Sequence, residues 1–115
     1  MTWGIQERRA GAVPVVELHG RITLGASGDA VEEKLQEIVA RGPKGVVLDL
    51  SGVEVLDSRG LKALVRAYIS LQKCDAPLKL LNPPPRIRQV LELTRLLNVF
   101  EVYQSEDAAL ASFAE

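Results

Sequence analysis

The reactive side chains of this chain gather in one place, Asp57-Ser58-Arg59-Gly60, inside the stretch GVEVLDSRGLKAL. An aspartate and a serine ahead of an apolar helical pattern allow two readings. Either side chain can accept the amide of Gly60 or Leu61 as a helix cap, because the first amides of a helix have no partner within it. A serine hydroxyl can instead act as a nucleophile, but it then needs a base beside it. His19 is the single histidine and sits in a strand-like run, and LDSRG is not the G-x-S-x-G turn of a serine hydrolase. One histidine and one cysteine are too few for a zinc site. GPKG lacks the spacing of a phosphate-binding loop, and no G-x-G-x-x-G follows a strand. Asp49 ends a buried run like the phosphorylated aspartate of a receiver, yet no acidic pair follows the first strand to hold the metal such a site needs. The residues therefore predict no enzyme, no metal and no cofactor.

Composition agrees. The chain has 115 residues, enough for one domain and a single core, with 47% apolar and 25% charged residues. Its formal net charge of -1 gives no reason to expect nucleic acid or an anionic membrane as partner. No apolar run approaches the roughly 18 residues of a membrane span. MTWGIQERRAG lacks the apolar segment of an export signal, which predicts a cytoplasmic protein. The lone Cys74 rules out an internal disulfide and reads as a small buried or half-buried hydrophobe.

The elements that must position Ser58 follow from periodicity. Residues 3–9 form a weakly patterned strand, and Val13 to His19 alternate as its hairpin partner. RITLGASGD breaks the pattern and offers Ser27 or Asp29 as cap for a helix bearing Val31, Leu35, Ile38 and Val39. Gly42-Pro43 ends that helix, and GVVLDL reads as a central strand buried on both faces. After an excursion through Ser51-Gly52, Val53, Val55 and Leu56 lead to Asp57. Leu61, Leu64, Val65, Tyr68 and Leu71 mark a second amphipathic helix. APLKLLN is a fourth strand. Pro83-Pro84-Pro85 opens a third helix with Ile87, Val90, Leu91 and Thr94 on one face, and with Arg86, Arg88 and Arg95 in solvent. VFEVY gives a short last strand, and SEDAALASF a final helix capped by Ser105 with Glu106 and Asp107 in its first turn. Trp3 is expected to cover one edge of the core, and Asp49 to stabilise a strand-to-loop corner. The order β-β-α-β-α-β-α-β-α predicts an α/β fold: a mixed sheet of about five strands with an N-terminal hairpin and about four helices.

The run VVLDLSGVEVLDSRGLKALVRAY resembles the signature of the STAS domain, shared by sulfate transporter tails and bacterial anti-sigma factor antagonists. In that family an apolar strand ends in Asp-Leu, and a second apolar segment ends in Asp-Ser-Ser/Thr-Gly-Leu. Here those places hold Asp49-Leu50 and Asp57-Ser58-Arg59-Gly60-Leu61. VVELHGRITLGASGDAVEEKL and LKLLNPPPRIRQVLELTRLLNVFEVYQSEDAALASF are similar to the family's flanking parts, so the resemblance implies one STAS domain over residues 1–115, without a membrane domain.

For the antagonist branch the resemblance implies a binding module. It docks on an anti-sigma factor that is also a serine protein kinase, releases the sigma factor, and is reset by a serine phosphatase. Transferred by position, Ser58 is the phosphorylation site, and Asp57, Arg59, Gly60 and Lys62 belong to the partner-binding face. Thr23, Ser27 and Asp29 belong to a neighbouring loop that contributes to it. Arg59 departs from the family's small hydroxyl residue, and four roles stay open for it: pairing with a Ser58 phosphate, pairing with Asp57, setting partner specificity, or a solvated charge in the first helical turn. The alternative function is a STAS subunit that binds its partner constitutively in a signalling or lipid-transport assembly.

Overall fold

The computed structural model describes residues 2–114. Strand β1 (Trp3–Ala10) pairs antiparallel with β2 (Val13–Ile22), Trp3 opposite Gly20 and Ala10 opposite Val13. There follow α1 (Ala26–Ala40), β3 (Val46–Leu56), α2 (Ser58–Gln72), β4 (Leu78–Leu81) and α3 (Pro85–Leu93). A 3-10 turn (Leu96–Asn98), β5 (Glu101–Tyr103), α4 (Glu106–Ala111) and a last 3-10 turn (Ser112–Ala114) complete the chain. The five strands lie in sequence order, with β2 through β5 parallel. Mixed sheet, helix count and element order match the sequence expectation.

Order explains layering. Each β-α-β step moves one strand in the same direction, and right-handed crossovers then put α1, α2 and α3 on one face. Their apolar stripes meet Val16, Leu18, Leu48, Leu50 and Leu80 in the main core, which Trp3 borders. The alternate residues Val15, Val47 and Leu81 point to the other face, where Ala109 of α4 and Phe113 cover them. Lys79 is buried on this second face: its ammonium donates to Ser112 Oγ at 2.6 Å and lies over the Phe113 ring at 4.6 Å. Edge strand β1 is tied to both layers by successive charges. Glu7 meets Arg41 (2.7 Å) and Lys34 (3.1 Å) of the α1 layer, whereas Arg8 pairs with Glu17 and with Glu106 of α4.

Several boundaries differ from expectation. β3 does not break at Ser51-Gly52. It runs through to Leu56, absorbing two extra residues as irregularities against β2. Asp49 accordingly bonds the Ser51 amide within a strand (2.9 Å) and not at a corner. VFEVY contributes only Glu101–Tyr103, because Val99 and Phe100 close the preceding 3-10 turn, both amides donating to the Leu96 carbonyl. Thr94 caps the end of α3, exposed, with its hydroxyl on the Val90 carbonyl. Arg95 lies beyond that helix with φ 63°, and Arg88 is half-buried. Cys74 is exposed, not buried, because it falls in the tight turn after α2 that Asp75 completes with φ 57°. Ser105 caps α4 as expected, accepting from the Ala108 amide at 3.0 Å.

Candidate partner-binding site

Parallel strands deliver their C-terminal ends to one rim of the sheet, where ligands of open α/β folds gather. Ile22 and Leu56 are paired there, so the β2–α1 loop and the start of α2 lie side by side. Asp57 joins them. One carboxylate oxygen accepts the Gly60 amide at 3.0 Å as N-cap of α2, and the other accepts the Leu24 amide at 2.9 Å from across the rim. Burial alone would raise the Asp57 carboxyl, but the backbone amides of Gly60, Leu24 and Arg59 outweigh it and hold it below the ordinary aspartate range. The aspartate is thus the cap, and Ser58, the first residue of the helix, is left exposed.

Neither sequence candidate caps α1. Its N-cap is Gly25, without a side-chain bond. Ser27 is buried inside the first turn, where its hydroxyl accepts the Thr23 amide (2.9 Å) and approaches the Thr23 carbonyl (3.3 Å). Asp29 reaches outward to Arg59 at 2.9 Å. Arg59 also meets Glu32 at 2.6 Å, and Glu32 in turn meets Arg66 at 2.7 Å. Arg59 is therefore neither paired with Asp57 nor solvated: its side chain is only 21% exposed, against 70% for Asp29. The Arg59 hydrogen bond, against a smaller opposing effect of burial and with help from Arg66, keeps Glu32 ionised below the usual glutamate range. Gly28 makes room for this arrangement. A Cβ there would stand 2.5 Å from the Thr23 carbonyl and 2.7 Å from Cγ of Arg59.

The face has an outer and an inner part. Ser58, Lys62 and Asp29 are exposed, whereas Thr23, Asp57 and Arg59 are half-buried. Ser27 and Gly60 lie beneath, Gly60 so close to the Ile22 carbonyl that a Cβ would approach it to 2.6 Å. His19 faces Gly52 across the sheet, three residues before the end of β2 and about 10 Å back along the strand, out of reach of Ser58. Among the described residues, no cluster of three or more His, Cys, Asp or Glu could hold a metal ion, and no helix is long and apolar enough to cross a membrane. Sequence reasoning missed Leu24, Gly28 and Glu32. The α1 helical pattern could have suggested Glu32, one turn beyond Asp29 on the same face; an isolated Leu in a loop offers no periodic signal.

Rim, cap and strand order bring these residues onto one face at the C-terminal ends of the parallel strands. The STAS domain profile matches residues 5–109. The chain belongs to the STAS domain family, in its bacterial anti-sigma factor antagonist branch. It is 32% identical over 88 residues, 76% of each chain, to BtrV of Bordetella bronchiseptica, described as a candidate anti-sigma factor antagonist. The crystal structure of an anti-sigma factor antagonist from Mycobacterium paratuberculosis superposes with TM-score 0.89 at 31% identity, covering 99% of this chain and 96% of that one. SpoIIAA of Bacillus shares the fold at 14% identity in its unphosphorylated form (TM-score 0.72, 96% of both chains) and at 18% in its phosphorylated form (0.74; 95% of this chain and 99% of that one).

Proposed function

We propose that this protein is a cytoplasmic anti-sigma factor antagonist that docks on an anti-sigma factor with serine kinase activity, frees the sigma factor, and is switched off by phosphorylation of Ser58. One observation carries the reading. Asp57 takes the capping role, so the neighbouring serine is exposed at a helix start with its hydroxyl released from that duty. In the switching step Ser58 Oγ bonds to the γ-phosphorus of ATP, ADP departs, and the hydroxyl proton passes to a base on the kinase. A serine phosphatase reverses the state by hydrolysis. The protein itself is a substrate and supplies no catalytic group.

Chemistry around Ser58 suits such a switch. The first amides and the positive end of α2 tolerate an added phosphate, so the fold survives it. The phosphate brings about -1.5 to -2 charges beside Asp57 and close to an acidic pair, Asp29 and Glu32. Arg59 is already held by those two carboxylates and is poorly placed to neutralise it. Ser58, Lys62 and Asp29 then meet the partner directly, with Thr23, Asp57 and Arg59 at the rim and Ser27 and Gly60 as support. That SpoIIAA is known in phosphorylated and unphosphorylated forms supports the reading. Mass spectrometry of the protein from its native cell is expected to find phosphate on Ser58. Ser58→Ala should retain partner binding and Ser58→Asp lose it; equal binding by both would leave a constitutive module.

A further inference from the structure

Leu24 is the most exposed large apolar side chain among the described residues, at 80%. Exposure alone means little, since isolated apolar residues on a surface are ordinary and Leu93 at the end of α3 is nearly as exposed. Leu24 differs in how it is held. Its amide donates to Asp57, the residue that caps the Ser58 helix. The residue before it, Thr23, is fixed through both backbone groups: its amide donates to Ser27 Oγ, and its carbonyl accepts the Gly28 amide at 2.9 Å. The residue after it, Gly25, has φ 112° and ψ -145°, a conformation open in practice only to glycine, and its carbonyl accepts the Asp29 amide. The backbone on both sides of Leu24 is therefore locked, while the side chain it carries stands in water.

An apolar side chain carried on a locked backbone gives up only its own rotamer freedom when a partner buries it, so most of the gain from taking it out of water is kept. We infer that Leu24 is the apolar anchor of the Ser58 face, seating in an apolar socket on the anti-sigma factor kinase, with Asp57 as its positioning residue. The inference rests on the function proposed above and adds a physical link to it. A socket can close over Leu24 only by expelling water from the adjoining surface. The phosphate of a phosphorylated Ser58 must keep its water, and it adjoins the aspartate that pins Leu24. Phosphorylation then blocks docking by keeping the anchor wet.

The test uses the kinase itself, purified from the source cell by following transfer of labelled phosphate from ATP to Ser58, with Ser58→Ala as the blank. Calorimetric titration of that kinase with wild type, Leu24→Ala, Leu24→Gln and Leu24→Met separates the cases. Leu24→Ala and Leu24→Gln are expected to weaken binding roughly 10- to 100-fold, and Leu24→Met by no more than about three-fold. Circular dichroism melts of all three should coincide with wild type, since the side chain is outside the core. A kinase that binds Leu24→Ala and Leu24→Gln as tightly as wild type overturns the anchor and leaves the Ser58 switch standing. Failure to find any activity that phosphorylates Ser58 overturns the switch, and the anchor with it.

Discussion

At Asp57 one carboxylate does two jobs, and each oxygen has its own amide. Removing both by Asp57→Ala should lower stability by about 1–2 kcal/mol, the cost of a lost N-cap, measured as a shift in urea midpoint at unchanged slope. Asp57→Asn offers a single acceptor oxygen and should fall between; equality of all three proteins would mean that water replaces the cap. The sequence already narrowed the cap to Asp57 or Ser58, since both types are favoured there. It could not choose, because the choice depends on the Leu24 amide arriving from a loop 33 residues away. Arg59 was illegible for the same reason: its partners Asp29 and Glu32 are adjacent in space only after α1 and α2 pack.

Between elements, the seam of α1 and α2 depends on a glycine. At Gly28 a methyl group would collide with the Thr23 carbonyl and the Arg59 stem, so Gly28→Ala should destabilise the fold by about 1–3 kcal/mol through overpacking. Its effect should shrink when Arg59 is also alanine, because one of the two colliding groups is then gone. A fully additive double variant would place the whole strain on the Thr23 carbonyl. Helices with a sustained apolar stripe, α1 and α2 above all, were readable from their period. Two kinds of boundary were not. β3 continues through Ser51-Gly52 because parallel pairing with β2 tolerates extra residues, a long-range effect with no local mark. The start of VFEVY was lost to the close of a 3-10 turn, where short apolar runs fit more than one backbone form.

Across the molecule, strand order and layering were legible, because an initial hairpin followed by β-α repeats admits few topologies. The ion pairs that stitch β1 to both helix layers were not, since they link residues distant in sequence. Those pairs, together with the Glu32–Arg59 pair between α1 and α2, shape the response to acid. Hydrogen bonds from Arg41, Arg59 and Arg8 lower the carboxyls of Glu7, Glu32 and Glu106, in each case against burial. A carboxyl whose folded pKa lies below its unfolded one binds fewer protons when folded. Its contribution is present above the unfolded value of about 4.3 and is lost as pH falls through the folded one. Stability should therefore be level between neutral pH and about 5 and decline below about 4, with a modest amplitude because water still reaches and screens these half-buried pairs. Denaturation midpoints taken across that range check this; a Glu7→Gln and Glu32→Gln double variant should decline less, and a rise in stability on acidification would contradict the assignment. The turn that leaves Cys74 in solvent has a practical consequence as well. Helix α2 separates it from Ser58 by about 22 Å, so the chain's single thiol is a native attachment point for a maleimide dye on the end opposite the Ser58 face. A fluorescence anisotropy assay of partner docking can be built there without engineering a cysteine or touching the surface under study.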